Sequence, residues 1–253
     1  MKITKIFPVI FILLCSFSSF TQEKNSELKQ TIKSSKANNI KALIHISGGR
    51  LFVNDETSEL ADVNFSYNKE DWDPTVSYAE KDNFGKLTIV AKINSKEHNI
   101  DDDNICKIAL DKKKNYSLGL VLGLGEASIN LKNYNIKKAL FRLGVGTFDV
   151  NLANTSIPLL KVEAGIGEAK FDLSGNWKND LTAIINAGIG EITLYVPDDV
   201  GVKLIVSGFL GSVDTPGYNK QGKEHSNKLY GKAKHNLEFT IKGAIGNINV
   251  VEK

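Results

Sequence analysis

A repeat of about 21 residues dominates the second half of this 253-residue chain. Four segments align without gaps, and their starts are 21, 21 and 23 residues apart. They are Gly123–Leu131, Gly144–Leu152, Gly165–Leu173 and Gly188–Val196, with weaker copies that begin at Gly208 and Gly243. A period of this length is typical of a solenoid, in which each coil packs mainly against the coils before and after it.

Apolar and polar side chains alternate within each copy. The fifth, seventh and ninth positions are apolar, whereas the sixth and eighth are mostly polar. The apolar positions are Ala127, Ile129, Leu131, Phe148, Val150, Leu152, Ala169, Phe171, Leu173, Ile192, Leu194 and Val196. This alternation indicates strands with one buried face, and no segment has a convincing helical period. The sequence therefore predicts an all-β, β-helix-like solenoid of parallel coils with glycines at the corners.

The N-terminus has the layout of a secretory signal peptide. Residues 1–21 contain a basic start, an apolar stretch from Ile6 to Cys15 and small polar residues, with cleavage expected before Gln22. The apolar stretch is too short to span a membrane. A lipid anchor at Cys15 is the less favoured alternative, because Leu14 precedes it where lipoprotein signals normally carry Gly, Ala or Ser. Signal removal would leave Cys106 as the only cysteine, which excludes an intramolecular disulfide.

The remaining chain divides into three parts. Residues 22–39 are polar and are expected to form a tether or weak helix. Residues 40–99 have strand-like texture and are expected to form a small β domain that caps the N-terminal end of the solenoid, which occupies residues 100–253. The last copy, which ends at Val251, is expected to cap the other end. The interruption from Asp214 to His235 is expected to be a protruding loop or hairpin.

The charge balance argues against nucleic acid as a partner. Without Lys2 and Lys5 of the signal segment, the 32 basic residues fall to 30, against 29 acidic residues. Only Arg50 and Arg142 are arginine, so the bidentate groups that favour phosphate and base recognition are scarce.

These motifs resemble a known bacterial family. The Gly-x-Gly-Glu repeats, with the segments Leu173–Leu181 and Val196–Val202, resemble the toast-rack domains of LiaF-like cell-wall-active antibiotic response proteins and of related candidate adhesins. The segments around Gly48–Val53 and Asp73–Tyr78 resemble the small domain that precedes the toast rack. The resemblance covers about Asn39 to Val251. It implies a right-handed parallel β-helix, an envelope location and no catalytic residues. LiaF-like proteins carry transmembrane helices ahead of this domain, whereas a signal peptide is expected in their place here.

Few residues are candidates for chemistry, and no catalytic residue, cofactor or resident metal is expected. Glu126, Glu168 and Glu191 share one coil position, so a cation could bridge the adjacent pair Glu168 and Glu191, although Thr147 interrupts the row. Asp149 and Lys170 share an outward position on adjacent coils. A surface ion pair is the favoured explanation of this second pair, and a polysaccharide-acting β-helix enzyme is the third functional alternative.

A basic segment is the candidate for partner binding. Its residues are Tyr218, Lys220, Lys223, Lys228, Tyr230, Lys232 and Lys234. Lysines with interleaved aromatics could contact an anionic envelope glycan or a membrane or envelope protein, although a solvated hairpin is the favoured explanation of such a charge run. Two functions are expected ahead of the enzyme: an exported, non-catalytic, adhesin-like envelope or surface scaffold, or a LiaF-like periplasmic component of the envelope-stress response. The expected location is the periplasm, cell envelope or cell surface.

Overall fold

The structure is a computed structural model in which residues 25–70, 72–93 and 104–253 are described. The described part of the chain forms strands and turns and no helix. The strands are β1 (Asn25–Ile32), β2 (Asn39–Glu56), β3 (Ala61–Asn68), β4 (Trp72–Lys81), β5 (Phe84–Ile93), β6 (Ile105–Leu110), β7 (Asn115–Asn130), β8 (Asn135–Asn151), β9 (Leu159–Asp172), β10 (Leu181–Asn186), β11 (Ile189–Val196), β12 (Gly201–Asp214), β13 (Asn219–Gln221), β14 (Glu224–Ser226) and β15 (Asn236–Glu252).

Within the described residues, seven parallel coils form the body of the molecule. Their spatial order is β2, β7, β8, β9, the pair β10 and β11, β15 and β12. Each aligned sequence copy pairs in register with the next, as Gly125 does with Gly146 and Gly146 with Gly167. The predicted all-β class with parallel coils of about 21 residues is confirmed.

The interior is filled by the apolar positions that alternate along each strand. Phe141, Phe171 and Phe239 are fully buried, and the rings of Phe141 and Phe171 are 6.1 Å apart between centroids. The polar residues at the coil ends stabilise their own turns: Asn151 Oδ1 accepts a hydrogen bond from the Ala153 N–H (3.0 Å), and Asp172 Oδ1 accepts one from the Ser174 N–H (2.9 Å). Such side-chain to backbone bonds within the turn favour a tight return to the next coil.

The N-terminal end of the stack divides into two branches at β2. The first half of β2 pairs with β5, which continues to β4, and the second half pairs with β6, which continues to β3 and β1. β2 is itself one coil of the stack, since Gly49 pairs with Gly125. The predicted domain boundary at residues 99 and 100 lies outside the described residues, as do the signal peptide and Cys15.

The tether predicted for residues 22–39 is wrong for its described part. Residues 25–32 form β1, which pairs antiparallel with β3 along its whole length. Leu28 and Ile32 pack against the core from this strand. The segment forms an ordered strand with only two apolar side chains because pairing with β3 also satisfies its backbone hydrogen-bonding groups.

The last sequence copy does not cap the stack, so that prediction is wrong. β15 lies between β12 on one side and β10 with β11 on the other, parallel to all three. β12 follows β11 in the chain but is not its neighbour in the sheet, because the C-terminal strand β15 lies between them. The outer edge of β12 is covered over Lys203–Ile205 by β14, which pairs antiparallel to it. No helix among residues 25–70, 72–93 and 104–253 is long and apolar enough to cross a membrane.

Candidate functional site at the glycine corner

The glycine corner is the part of each coil where the strand changes direction. Along β7, residues 116, 118, 120 and 122 point inward, and after the corner residues 127 and 129 do, so the alternation changes phase. The corner glycines pair across the stack in one column: Gly49, Gly125, Gly146, Gly167, Gly190, Gly246 and Gly211. Gly167 shows why no other residue fits. Its φ is +132°, and an added Cβ would lie 1.9 Å from the carbonyl oxygen of Gly146.

The change of phase leaves the residue just before each column glycine from Gly125 onward on the outside. These residues are Leu124, Val145, Ile166, Ile189, Ile245 and Leu210, named in their spatial order, and their exposed fractions run from 38% to 69%. Six aliphatic side chains thus line up on neighbouring strands. At a strand spacing of about 4.8 Å the row is about 24 Å long. We call it the aliphatic row.

A polar row runs beside the aliphatic row, one position beyond the second glycine of each coil. Its members are Glu126, Thr147, Glu168, Glu191, Asn247 and Ser212. The predicted adjacency of Glu168 and Glu191 is confirmed, as is the interruption by Thr147. Lys170 Nζ lies 3.9 Å from a Glu168 carboxylate oxygen, and Thr193 donates a hydrogen bond of 3.2 Å to Glu191.

The polar row gives the aliphatic row an acidic flank. Across the described ranges, no three His, Cys, Asp or Glu side chains are grouped to hold a metal ion. The cation bridge between Glu168 and Glu191 stays a prediction. Asp149 and Lys170 lie side by side on β8 and β9, as the sequence indicates.

The basic segment after β12 has a different structure from the one predicted. Its first part is a hairpin of β13 and β14, which does not protrude because β14 pairs with β12, and turns follow it up to β15. Asn227 is a buried anchor: its Oδ1 accepts a hydrogen bond from the Val202 N–H (2.9 Å) and its Nδ2 donates one to the Val200 oxygen (2.9 Å). The sequence pattern of turn residues and lysines predicted a solvated segment, and tertiary pairing at the open edge of β12 explains the difference.

The candidate binding residues of this basic segment fall into two groups. Lys220, Lys223, Lys228, Lys232 and Lys234 are exposed. Tyr218 is buried, and burial raises the pKa of its phenol. Tyr230 is half-buried with Lys203 Nζ 4.7 Å from its ring centroid, and its hydroxyl donates a hydrogen bond to Glu238. The two tyrosines therefore pack within the molecule, whereas partner binding by the lysines stays a prediction.

The sequence analysis missed the aliphatic row. Its signal was present, since the residue before the second corner glycine is Leu, Val or Ile in all six coils from β7 to β12 in spatial order. An aliphatic residue within a predicted strand is normally assigned to the buried core. The structure places these six outside because the positive φ of the following glycine reverses the side-chain direction.

Comparison with known proteins agrees with this architecture. The family model for the N-terminal domain of toast_rack matches residues 21–157 and 141–195. Protein LiaF of Bacillus subtilis (strain 168) is 29% identical over 99 residues, which are 36% of this chain and 40% of LiaF, so the match spans less than half of that relative.

A solved structure shares the fold over nearly the whole chain. It is the crystal structure of a candidate cell adhesion protein from Clostridium sporogenes ATCC 15579, with 27% sequence identity and a TM-score of 0.65. The likeness covers 91% of this chain and 100% of that chain. Because the family model matches more than half of the residues, the chain belongs to the toast-rack family.

Proposed function

We propose that this protein is an exported, non-catalytic, adhesin-like binding scaffold of the bacterial cell envelope or cell surface. The observation that carries the proposal is the aliphatic row. Contiguous exposed apolar surface is unusual on a protein that works alone and is common where a protein partner binds. The likeness to a candidate cell adhesion protein over 91% of the chain supports the same role.

The chemistry of the row indicates the kind of partner. Leu124, Val145 and Ile166 offer apolar surface, and Glu168 and Glu191 lie beside it. A polypeptide segment that carries aliphatic or aromatic side chains next to Lys or Arg would complement both rows. Apolar burial would supply most of the affinity, and the acidic flank would select basic partners and speed association.

The rigidity of the corner suits this role. Four members of the row lie directly between two glycines, at which an added Cβ would overlap the backbone of the neighbouring coil, so these side chains keep a fixed spacing. A pre-ordered surface loses less conformational entropy on binding than a flexible one.

Retention on native envelopes tests the proposal. The protein would be incubated with isolated envelopes of the source cells, and bound protein would be quantified after washing. Ile166→Thr with Ile189→Thr keeps β-branched side chains and removes apolar surface, so we expect retention to fall about ten-fold or more. Val251→Thr, which changes a 39% exposed aliphatic outside the row, is the matched control. Equal retention of all three proteins would contradict the proposal.

The alternative is the LiaF-like regulatory role in the envelope-stress response, which the match to part of LiaF favours. In that case the partner would be a membrane protein reached from inside the envelope. The same row could serve either role, and the location of the protein separates them.

A further inference from the structure

A groove lies at the opposite end of the coils from the glycine corner. It has a volume of about 500 Å³ and is formed where the starts of β2 and β7 meet the hairpin of β4 and β5. This volume lies within the range of ligand-binding sites. Its lining side chains are mostly exposed, so it is an open trough rather than an enclosed pocket. Lys41 is seven residues before Gly48, which places the groove about 23 Å along the strand from the aliphatic row.

Lysines dominate the groove. Lys41, Lys81, Lys86 and Lys137 line it, and Lys41 and Lys86 are direct partners on adjacent parallel strands. Like charges at paired positions repel each other and destabilise a sheet. Within the described residues, none of these four lysines forms an ion pair with a carboxylate. A bound anion would relieve the repulsion.

A β-bulge brings a further positive charge to the same face. The register between β7 and β8 shifts after Tyr116, so Lys137 is an extra residue and Lys138 pairs with Ser117. Lys137 and Lys138 are both exposed beside Ser117, which itself pairs with Lys41. Bulges of this kind redirect a side chain and are frequent next to functional sites. The lysines therefore lie on β5, β2 and β8, with Ser117 of β7 between those of β2 and β8.

The acidic residue in the groove lining is already engaged. Glu80 accepts hydrogen bonds from the hydroxyls of Ser35 and Tyr78, the latter at 2.9 Å. These bonds, that of Ser35 first, lower the pKa of Glu80. Asp82 is exposed in the turn between β4 and β5 and does not line the groove. Four lysines line the groove against the one carboxylate of Glu80, which the lowered pKa keeps ionised, so the groove has a net positive charge.

The groove also carries one exposed aromatic ring. Phe84 lies at its rim, and 68% of the residue is exposed. The apolar C–H face of a sugar ring can pack on such a ring, and burial of the ring surface stabilises the contact. Asn39 and Asn115, which are paired on adjacent strands, add amide groups that can hydrogen-bond sugar hydroxyls.

We propose that this lysine groove binds an anionic polysaccharide, with Lys41, Lys86 and Lys137 on its carboxylate or phosphate groups and Phe84 against a sugar ring. The inference rests on the proposed binding role and adds a ligand class to it at a second surface. Lysine suits this task because its ammonium is a mobile point charge that accepts anions at varied spacing. An open row of lysines suits a polymer with regularly placed charges better than a single small anion.

Calorimetric titration of the full chain with defined polymers tests the groove. Polygalacturonate provides carboxylates on sugar rings, phosphomannan provides phosphates on sugar rings, polyphosphate provides charge without sugar, and dextran provides sugar without charge. We expect one of the two anionic glycans to bind at low ionic strength and dextran not to bind. Polyphosphate should bind independently of Phe84.

Three variants assign the binding to the groove. Lys41→Gln with Lys86→Gln should weaken glycan binding about ten-fold or more. Phe84→Ala should weaken glycan binding and leave polyphosphate binding unchanged. The matched control, Lys178→Gln with Lys242→Gln, removes the same charge at two exposed positions outside the groove lining and should change the affinity less than about two-fold.

Three results would overturn the proposal. They are no binding of either anionic glycan, an equal loss in the groove variant and the control variant, or glycan binding that is indifferent to Phe84→Ala. The test is separate from that of the proposed function, because envelope retention through Ile166 and Ile189 can fail or succeed whatever the groove variants do. All substituted side chains are exposed, and unchanged thermal unfolding of each variant would confirm that the fold is intact.

Discussion

Substitution of a single corner glycine should destabilise the whole stack. In Gly167→Ala the new Cβ would lie 1.9 Å from the carbonyl oxygen of Gly146, 2.9 Å from its carbonyl carbon and 3.1 Å from its nitrogen. All three contacts are with backbone, which is held in place by pairing with Gly125 on its other side. The coils cannot separate locally without breaking that ladder.

Two costs add in this variant. An alanine at φ +132° costs about 1–3 kcal/mol, since L residues rarely adopt this conformation. The steric overlap adds about 1–3 kcal/mol or more, as for an overpacked core. We expect a loss of about 4 kcal/mol from the free energy of unfolding, a large part of the roughly 5–15 kcal/mol typical of a folded protein.

Gly222→Ala separates the two costs. Gly222 has a φ of +61°, and nothing lies within 4 Å of the position of an added Cβ, so only the conformational cost of about 1 kcal/mol applies. Urea unfolding followed by the fluorescence of the buried Trp72 and Trp177 would measure both variants. Losses within about 1 kcal/mol of each other would refute the steric argument for the glycine column.

Three further predictions concern the core, the pH dependence and the stack end. Phe141→Ala removes a fully buried ring and should cost about 3–5 kcal/mol in urea unfolding; a loss below about 1 kcal/mol would mean that the core is not packed as described. Burial, with a contribution from Lys220, lowers the pKa of His225 below its ordinary value of 6.5. Below about pH 6.5 the unfolded chain therefore binds more protons at His225 than the folded chain does. The free energy of unfolding is unaffected by His225 above this pH and decreases as the pH falls below it. Thermal unfolding across this range should show a smaller acid loss in His225→Gln than in the wild type, and parallel curves would contradict the assignment. Deleting residues 219–226 uncovers the edge of β12, and light scattering should then show concentration-dependent association; a variant that stays monomeric would show that the hairpin is not needed as an edge cover.

Local patterns were sufficient to predict the coils. The Gly-x-Gly pairs and the alternation after them, as in Ala169, Phe171 and Leu173, specify a strand with one buried face and a corner before it. Both signals are contained within about ten residues. The sequence therefore predicted the class, the period and the adjacency of Glu168 and Glu191.

The predictions that were wrong depend on which strands, distant in sequence, pair with each other. The position of β15 inside the stack depends on which exposed strand edge it pairs with, and each coil presents the same glycines and the same alternation. β1 contributes only Leu28 and Ile32 to the core, so its hydropathy pattern is weak and its pairing with β3 decides its structure. The bulge at Lys137 depends on the register between β7 and β8 and likewise has no local signal.

The site was harder to predict than the fold for a physical reason. Hydropathy identifies Ile166 and Ile189 as core residues, and only the backbone conformation of the glycine that follows places them outside. The groove was missed because its lysines come from strands that are far apart in sequence, as Lys41 and Lys86 are, and meet only through parallel pairing.

Protease accessibility on intact cells tests the central claim, that this is an exported scaffold which binds at the cell surface. A tagged full chain would be expressed in the source cells and treated with protease before and after the envelope is opened, with fractionation alongside. We expect a mature form that is digested on intact cells while an internal marker protein survives. Protection until the envelope is opened would contradict the surface role and favour the LiaF-like alternative, and a chain retained inside the cell would contradict both.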